Sequence, residues 1–245
     1  MDAPLHSLYV LKDRCYSLFE DRDNRVHYGI VECIHSYQSL RLILNRFTPE
    51  ERLYYAELDA LLPKTAPLEA GPRAVSAEEQ IRHARLSAVS SLIRLDIESF
   101  YTVSKQLLDR SADLFKFIFN IVVFDQTSKR HRELGSTFVQ FEKHFDFAIQ
   151  ERNLTAECRF KPQLLQLRKS IVEYRNNWLE HLDDFGRGRG MKGTKISWHR
   201  KSTDARDVEI EPLARLHERI QEYLFDFVHF LDTNLERSSL PRKSI

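Results

Sequence analysis

Apolar residues recur three and four positions apart along most of the chain, and this spacing predicts amphipathic helices. We expect helices over about 4–20, 25–47, 48–62, 76–120, 137–152, 162–183 and 212–235. Thr48, followed by Pro49 and Glu50, is typical of a helix start, so the second and third helices are predicted to be separate. Helices of this kind bury their apolar faces against one another, which predicts an all-α fold, an antiparallel helical bundle.

The helical pattern is interrupted between residues 63 and 75, where three prolines and a glycine occur. Directly afterwards, Ser76 and Glu79 have the spacing of a capping box and predict the start of a long helix. We therefore expect an N-terminal helical segment at 1–62, a linker or long loop at 63–75, and a helical bundle at 76–245. One continuous domain that includes residues 1–62 is the alternative.

A basic, glycine-rich segment separates the last two predicted helices. Four of the seven glycines lie within residues 186–193. Residues 186–206 hold seven lysines and arginines against one aspartate, a net charge of +6. Polar and apolar residues alternate at 195–198 and 207–210, so this insertion before the last helix is predicted to be a loop or a small β-hairpin.

The overall composition narrows the class of protein. The chain of 245 residues is 42% hydrophobic and has a net charge of +1, so any attraction to nucleic acid must come from a local patch. The longest nearly apolar run, 117–124, is shorter than the roughly 20 residues of a membrane helix. Because the first residues also lack a secretory signal pattern, we expect a cytoplasmic protein without a membrane partner. The three cysteines form no CxxC pair, and we expect no metal and no cofactor.

One arginine lies where a charge is costly. On a helical wheel of the 162–183 segment, Arg175 is at the centre of the apolar arc, with Leu164, Ile171 and Leu179 within about 40° of it. A buried arginine needs a carboxylate, a phosphate or a subunit boundary to receive its charge. Arg175 is therefore either a structural residue or part of a site.

The long helix predicted at 76–120 offers a partner, because Asp96 also lies on an apolar stripe, between Val89 and Phe100. In one interpretation, a buried Asp96–Arg175 ion pair holds two helices of the bundle in register. In the other, Arg175 belongs to a site in a cleft or at a dimer boundary, and Asp96 orients it.

The segment that starts at Arg175 resembles the HEPN superfamily, helical proteins that include many metal-independent ribonucleases. The family motif is an arginine, often followed by asparagine, with a histidine a few residues later on the same helix. Here the motif reads Arg175, Asn176 and, after five intervening residues, His181. Many family members have four intervening residues, so the helix distorts near His181 or the site is completed across a dimer.

This resemblance implies cleavage of RNA by attack of the 2′-hydroxyl on the adjacent phosphorus. His181 would act as general base or acid, because only a histidine exchanges protons readily near neutral pH. Arg175 would bind the phosphate, Asn176 would orient phosphate or ribose, and Asp96 would support the site. Family members commonly work as homodimers in toxin or phage-defence systems, which implies a homodimer and a cognate inhibitor protein as partners.

The basic segment is the predicted RNA-binding surface, in which lysines and arginines contact the backbone and an indole stacks on a base. The candidate residues are Arg187, Arg189, Lys192, Lys195, Trp198, Arg200 and Lys201. A solvated loop without this role is the alternative. For the whole chain, two other interpretations remain open: a catalytically inactive helical module that binds nucleic acid or a partner protein, and a structural bundle with Asp96 and Arg175 as its internal ion pair.

Overall fold

A computed structural model describes residues 2–20, 24–61, 76–119, 138–155, 159–178, 187–192, 195–200, 208–209 and 212–243. For 138–144, 172–178 and the strands, the description is of the backbone alone. The helices are α1 (Ala3–Leu18), α2 (Arg25–Leu61), α3 (Ala77–Phe119), α4 (Phe138–Arg152), α5 (Phe160–Trp178) and α6 (Leu213–Thr233). The predicted linker at 63–75 lies outside the described residues.

The predicted break at Thr48 is wrong, because α2 continues through Pro49 to Leu61. Proline cannot donate the helical hydrogen bond at its position, which normally weakens a helix interior. The Thr48 hydroxyl donates to the Leu44 carbonyl (2.9 Å) in this turn. Phe47 and Tyr54, seven residues apart on one helix face, are both buried. Packing on both sides of the proline thus outweighs the local signals for a helix start.

The long helices α2 and α3 run antiparallel and pack along much of their length. Gly29 approaches Leu114 near one end of the pair, Arg46 bonds Asp96 further along, and Glu57 meets Arg82 near the other end. The capping box predicted at the start of α3 is present. The Glu79 amide donates to the Ser76 hydroxyl (3.2 Å), and the Ser76 amide donates to the Glu79 carboxylate (2.8 Å).

The centre of the bundle is an aromatic cluster to which α3, α4, α5 and α6 contribute. The ring centroids of Phe160 and Phe145 are 5.0 Å apart, and those of Phe160 and Phe230 are 5.2 Å apart. Phe115 and Phe227 extend the cluster along α3 and α6. Buried apolar residues of α1 and α2 belong to the same continuous core. Helix α6 packs against α1, α2, α3 and α5, and α3 packs against α2, α4, α5 and α6.

The C-terminal residues return to the end of α1. A short 3-10 helix, Leu235–Arg237, follows α6. The Glu20 amide then donates to the Pro241 carbonyl (2.8 Å), and the Ser239 amide donates to the Ile118 carbonyl (3.1 Å). The first and last parts of the chain are thereby joined beside the end of α3.

Three short strands lie in the chain between α5 and α6: β1 (Arg187–Lys192), β2 (Lys195–Arg200) and β3 (Val208–Glu209). They pair antiparallel in the order β1, β2, β3. The residues that connect them to each other and to the helices are outside the described part of the chain. The loop or hairpin insertion as a whole therefore stays a prediction.

The described helices confirm the predicted all-α helical bundle. Within the described ranges, no helix is both long enough and apolar enough to span a bilayer.

Candidate functional site

Asp96 is a buried carboxylate in the middle of α3, and its side chain is 1% exposed. The guanidinium of Arg46, on α2, lies against it. Arg46 Nε is 2.9 Å from Oδ1 and 3.1 Å from Oδ2 of Asp96, and Nη2 also bonds Oδ1. The ion pair raises the pKa of Arg46, chiefly through the hydrogen bonds. Because Asp96 uses the Nε–Nη2 edge of the fork, the Nη1–Nη2 edge can meet a second oxyanion.

Glu50 lies one turn after Arg46 and brings a second carboxyl group to Asp96. Burial raises the pKa of Glu50, and the charge of Asp96 and a hydrogen bond with it act in the same direction. The Oε2 atom of Glu50 is buried, and no donor within the described residues reaches it. The nearness of the two carboxyl groups therefore favours the protonated form of Glu50.

Two contacts between α5 and α6 show which residues of the two helices lie side by side. Gln163 Nε2 donates to Asp226 Oδ2 (2.9 Å), and Arg219 donates to the Ser170 hydroxyl (3.1 Å). Seven residues forward along α5 thus correspond to seven residues back along α6, as expected for antiparallel helices. Continuing this register places the backbone of Arg175 level with Ala214, in the first turn of α6.

Asp96, on α3, lies at the same end of the bundle as Arg175. The ring of Phe100, on α3, contacts the ring of His217 on α6, with centroids 6.5 Å apart. Further along, Ser111 on α3 bonds Tyr223 on α6, so the two helices run in the same direction. Asp96 precedes Phe100 by about one helical turn and is therefore level with the first turn of α6.

The predicted catalytic residues occupy this end only in part. Arg175 and Asn176 lie in the last turns of α5, and their side chains are outside those described. His181 is outside the described residues. The described cation that binds Asp96 is Arg46, whereas the predicted pairing of Asp96 with Arg175 stays a prediction.

Most of the predicted RNA-binding residues lie on the strands. Arg187, Arg189 and Lys192 belong to β1, and Lys195, Trp198 and Arg200 belong to β2. The register sets Arg187 opposite Arg200, Arg189 opposite Trp198, and Lys192 opposite Lys195. Lys201 is outside the described residues. The backbone pairing therefore brings six of these candidates into one short ladder.

A polar groove of about 540 Å³ lies between α5 and α6, beside the turn that leads to Arg175. Its lining combines three cations with two acids and two neutral polar groups: Lys169, Arg215, Arg219, Glu218, Glu222, Gln166 and Ser170. The groove is open to solvent and rich in hydrogen-bond donors. It can accept a polar chain along the α5–α6 boundary.

A second buried polar cluster links the N-terminus to α2 and α6. The Tyr37 hydroxyl donates to Asp2 Oδ2 (2.7 Å), and Gln221 Nε2 donates to the Tyr37 hydroxyl (2.8 Å). The ring of His217 stacks on the ring of Tyr37, with centroids 5.6 Å apart. Burial lowers the pKa of His217, whose Nε2 is buried without a hydrogen-bond partner among the described residues.

Cysteine thiols and clusters of metal ligands are two further kinds of candidate site. Cys15 and Cys33 are buried, and burial raises the pKa of Cys33 to about 12, so its thiol is protonated at neutral pH. No group of three or more His, Cys, Asp or Glu side chains in the described ranges could hold a metal ion.

Asp96 could be predicted from the sequence, whereas Arg46 and Glu50 were not among the predicted site residues. Arg46 occupies an exposed position on α2, and Glu50 was assigned to the first turn of a separate helix. Their spacing of four residues on one helix would have placed them on a common face, had the helix been read through Pro49.

Comparison with known proteins adds no relative. No protein-family model matches the chain. A search of curated proteins found no match. A search of solved structures also found none. The resemblance to the HEPN superfamily accordingly rests on the sequence motif of Arg175, Asn176 and His181 and on the all-α fold.

Proposed function

We propose that the chain is a metal-independent endoribonuclease of the HEPN type, which acts as a homodimer in a toxin or phage-defence system. The proposal depends mainly on the positions of Arg175 and Asp96 at one end of the bundle. The Arg175 turn of α5 and the buried carboxylate of Asp96 both lie level with the first turn of α6. The proposal also draws on the helical bundle and on the basic residues that follow α5 in the chain.

In the proposed reaction, the RNA strand supplies its own nucleophile. His181 takes the proton of a 2′-hydroxyl, and the oxygen attacks the adjacent phosphorus. The bond from phosphorus to the 5′-oxygen breaks, and an acid returns a proton to that oxygen. Arg175 binds the phosphate oxygens as negative charge develops on them, and Asn176 orients the phosphate or the ribose. The products are a 2′,3′-cyclic phosphate and a 5′-hydroxyl.

The basic residues of β1 and β2 hold the RNA backbone in this proposal, and Trp198 stacks on a base. The RNA strand passes from these residues toward the end of the bundle where α5 ends and α6 begins. Because the protein acts on RNA in the cell, we expect a cytoplasmic location and a cognate inhibitor protein.

The second candidate is a catalytically inactive module that binds nucleic acid or a partner protein. The groove between α5 and α6 favours it, because Lys169, Arg215 and Arg219 line a polar surface suited to binding without chemistry. In this case the basic strands and the groove would act together as a binding surface, and His181 would have no role.

Single substitutions separate the two candidates. The nuclease proposal predicts that His181→Ala abolishes RNA cleavage in EDTA while RNA binding and the circular dichroism spectrum stay unchanged. His35→Ala, at an exposed position on α2, is the matched control and should cleave RNA like the wild type. RNA binding without cleavage by the wild type would support the binding module instead.

The structural interpretation of Arg175 has a test of its own. If Arg175 is only the partner of a buried acid, Arg175→Ala should lower the free energy of unfolding by about 3–5 kcal/mol. If Arg175 contacts RNA, the variant should stay folded and lose cleavage. Chemical unfolding, measured beside the cleavage assay, distinguishes these outcomes.

A further inference from the structure

A cavity of about 350 Å³ lies where the end of α1, the start of α2 and the C-terminal residues meet. Its apolar lining consists of three buried residues and one half-buried residue: Cys15, Phe19, Val26 and Leu240. Polar or charged groups complete the lining: Lys12, Tyr16, Asn24, His27 and Lys243. A cavity of this volume that combines an apolar floor with a few polar groups is typical of a binding site for a small molecule.

Backbone contacts fix the walls of this cavity. The Lys243 amide donates to the Leu18 carbonyl (3.0 Å). The Lys243 ammonium donates to the Tyr16 carbonyl and lies 4.2 Å from the centroid of the Tyr16 ring. On the other side, Asn24 has a left-handed backbone (φ 53°), and its carbonyl accepts the Tyr28 amide (2.9 Å) as α2 begins. The lining residues are therefore held in position before any ligand binds, which lowers the cost of binding.

The charge of the lining indicates which ligands the cavity favours. Lys12 and Lys243 are cationic, and none of the described residues that line the cavity is acidic. Asp13 lies 3.8 Å from Lys12, but its side chain is 78% exposed, so water and salt screen its charge. With His27 neutral, the lining carries two positive charges. The cavity therefore favours an anion.

The aromatic side chains of the lining indicate the shape of the ligand. Tyr16, Phe19 and His27 contribute three rings. The ring of His27 also meets the ring of Tyr28 edge to face, with centroids 5.8 Å apart, which restricts the orientation of the imidazole. Aromatic rings pack favourably on one another in stacked and edge-to-face arrangements. A flat aromatic body that carries one anionic group therefore matches both the rings and the lysines.

We propose that this cavity binds a small aromatic anion, in which a carboxylate or a phosphate is carried on one or two rings. The rings of the ligand pack on Phe19 and Leu240. Its anionic group is bound by Lys12 and Lys243, whose ammonium groups each have three donors.

The proposed ligand site is separate from the proposed nuclease site. Leu240 follows Ser239, whose amide donates to the carbonyl of Ile118 at the end of α3. Ile118 lies about 33 Å beyond Asp96 along this helix. The inference therefore goes beyond the proposed function and does not depend on it.

Equilibrium dialysis of the full-length protein tests the proposal with three probes of similar shape. 2-Naphthoate carries a carboxylate, 2-naphthyl phosphate carries a phosphate, and 2-naphthamide is uncharged. At least one of the two anions should bind with a dissociation constant below about 1 mM, and the tighter one identifies the anionic group. The uncharged amide should bind about tenfold more weakly or worse than that anion, because it lacks the charge that the lysines attract.

Substitutions place the bound anion in the cavity. Lys12→Met and Lys243→Met keep an apolar side chain and remove the charge, and each should weaken binding of the anion about tenfold or more. Leu240→Trp, at a half-buried position, should block the cavity and abolish binding. Lys105→Met is the matched control on α3, where Lys105 pairs with Asp109, and it should bind the anion like the wild type. Circular dichroism checks that each variant is folded.

The inference would be overturned if neither anion binds to the wild type, or if the amide binds as tightly as the anions. Binding that either lysine variant leaves unchanged would also overturn it. Dialysis is carried out without RNA, so a failed nuclease proposal leaves this result standing, and failure of the ligand to bind would not affect the test of RNA cleavage.

Discussion

Two buried clusters of the bundle differ in how completely they are sealed. The aromatic cluster around Phe160 joins α3, α4, α5 and α6, and its rings are buried among one another. Among the described residues, the cluster of Arg46, Glu50 and Asp96 joins α2 and α3, and it opens to solvent through Arg46, which is 54% exposed. The first cluster has every surface covered by the chain itself. The second presents a charged group, fixed in place, to whatever binds outside.

The difference indicates which features of the bundle maintain the fold and which are available for function. Apolar rings at these distances stabilise by burial and contribute no chemistry. A buried carboxylate is costly and gains only part of that cost back from its ion pair. The stability of the fold therefore does not require Arg46 of this ion pair to be exposed at the surface.

Phe160→Ala should have the largest effect on stability, because it removes a fully buried ring from the sealed cluster. We expect the free energy of unfolding to fall by about 3–5 kcal/mol. Urea unfolding followed by circular dichroism measures it. A loss below about 1 kcal/mol would show that the aromatic cluster is not the centre of the core.

Removal of Arg46 should have a smaller but clear effect, and the two partners of its ion pair should differ. Arg46→Gln leaves Asp96 buried without its cation, and we expect a loss of about 3 kcal/mol at neutral pH. Asp96→Leu should cost less, because Arg46 can turn to solvent. The same unfolding assay tests this order, and equal losses would contradict the asymmetric burial of the pair.

His217 predicts a dependence of stability on pH in the polar cluster of Asp2, Tyr37 and Gln221. Since burial lowers the pKa of His217 in the folded protein, the unfolded chain binds a proton more readily. Stability from this group is complete above the unfolded pKa of about 6.5 and falls as the pH drops below it, by at most about 1.4 kcal/mol per pH unit.

The comparison variant is His217→Phe, which keeps an aromatic ring between Tyr37 and Phe100 and removes the titrating group. Asp2, Arg41 and Glu218 also act on the charge of His217, and they are unchanged in this variant. Thermal unfolding between pH 7 and about pH 5 should show a flatter curve for the variant. Parallel curves for the two proteins would assign the acid sensitivity to other groups.

Loss of the capping box at the start of α3 should have the smallest effect. Ser76→Ala removes the acceptor of the Glu79 amide at an exposed helix end, and we expect a loss of about 1 kcal/mol. Ser76→Asp keeps an acceptor and should keep the stability. Unfolding in urea compares the two variants, and equal losses would argue against a capping role.

Much of the fold could be predicted from the sequence, because periodicity and capping report on local burial. The ends of α3, α4 and α6 lie within one or two residues of the predicted ones. The start expected at Thr48 was wrong, since a local proline signal does not include the burial of Phe47 and Tyr54 in the core. The sequence around Thr48 is typical of a helix start, and tertiary contacts determine that it lies inside a helix.

The candidate site could be predicted only in part, for a related reason. Asp96 was found because a charge on an apolar stripe is visible in one helix. Arg46 was missed because its partner lies fifty residues away in the chain, and an exposed arginine on a helix is ordinary in sequence. Which residues pair between two helices depends on the register of the helices. The spacing of apolar residues within one helix gives no information about that register.

The most direct test of the central claim is the end chemistry of RNA incubated with purified wild-type protein in EDTA. We expect fragments that end in a 2′,3′-cyclic phosphate and begin with a 5′-hydroxyl, and we expect none from His181→Ala. Intact RNA after incubation with the folded wild-type protein, or cleavage that His181→Ala retains, would contradict the nuclease proposal.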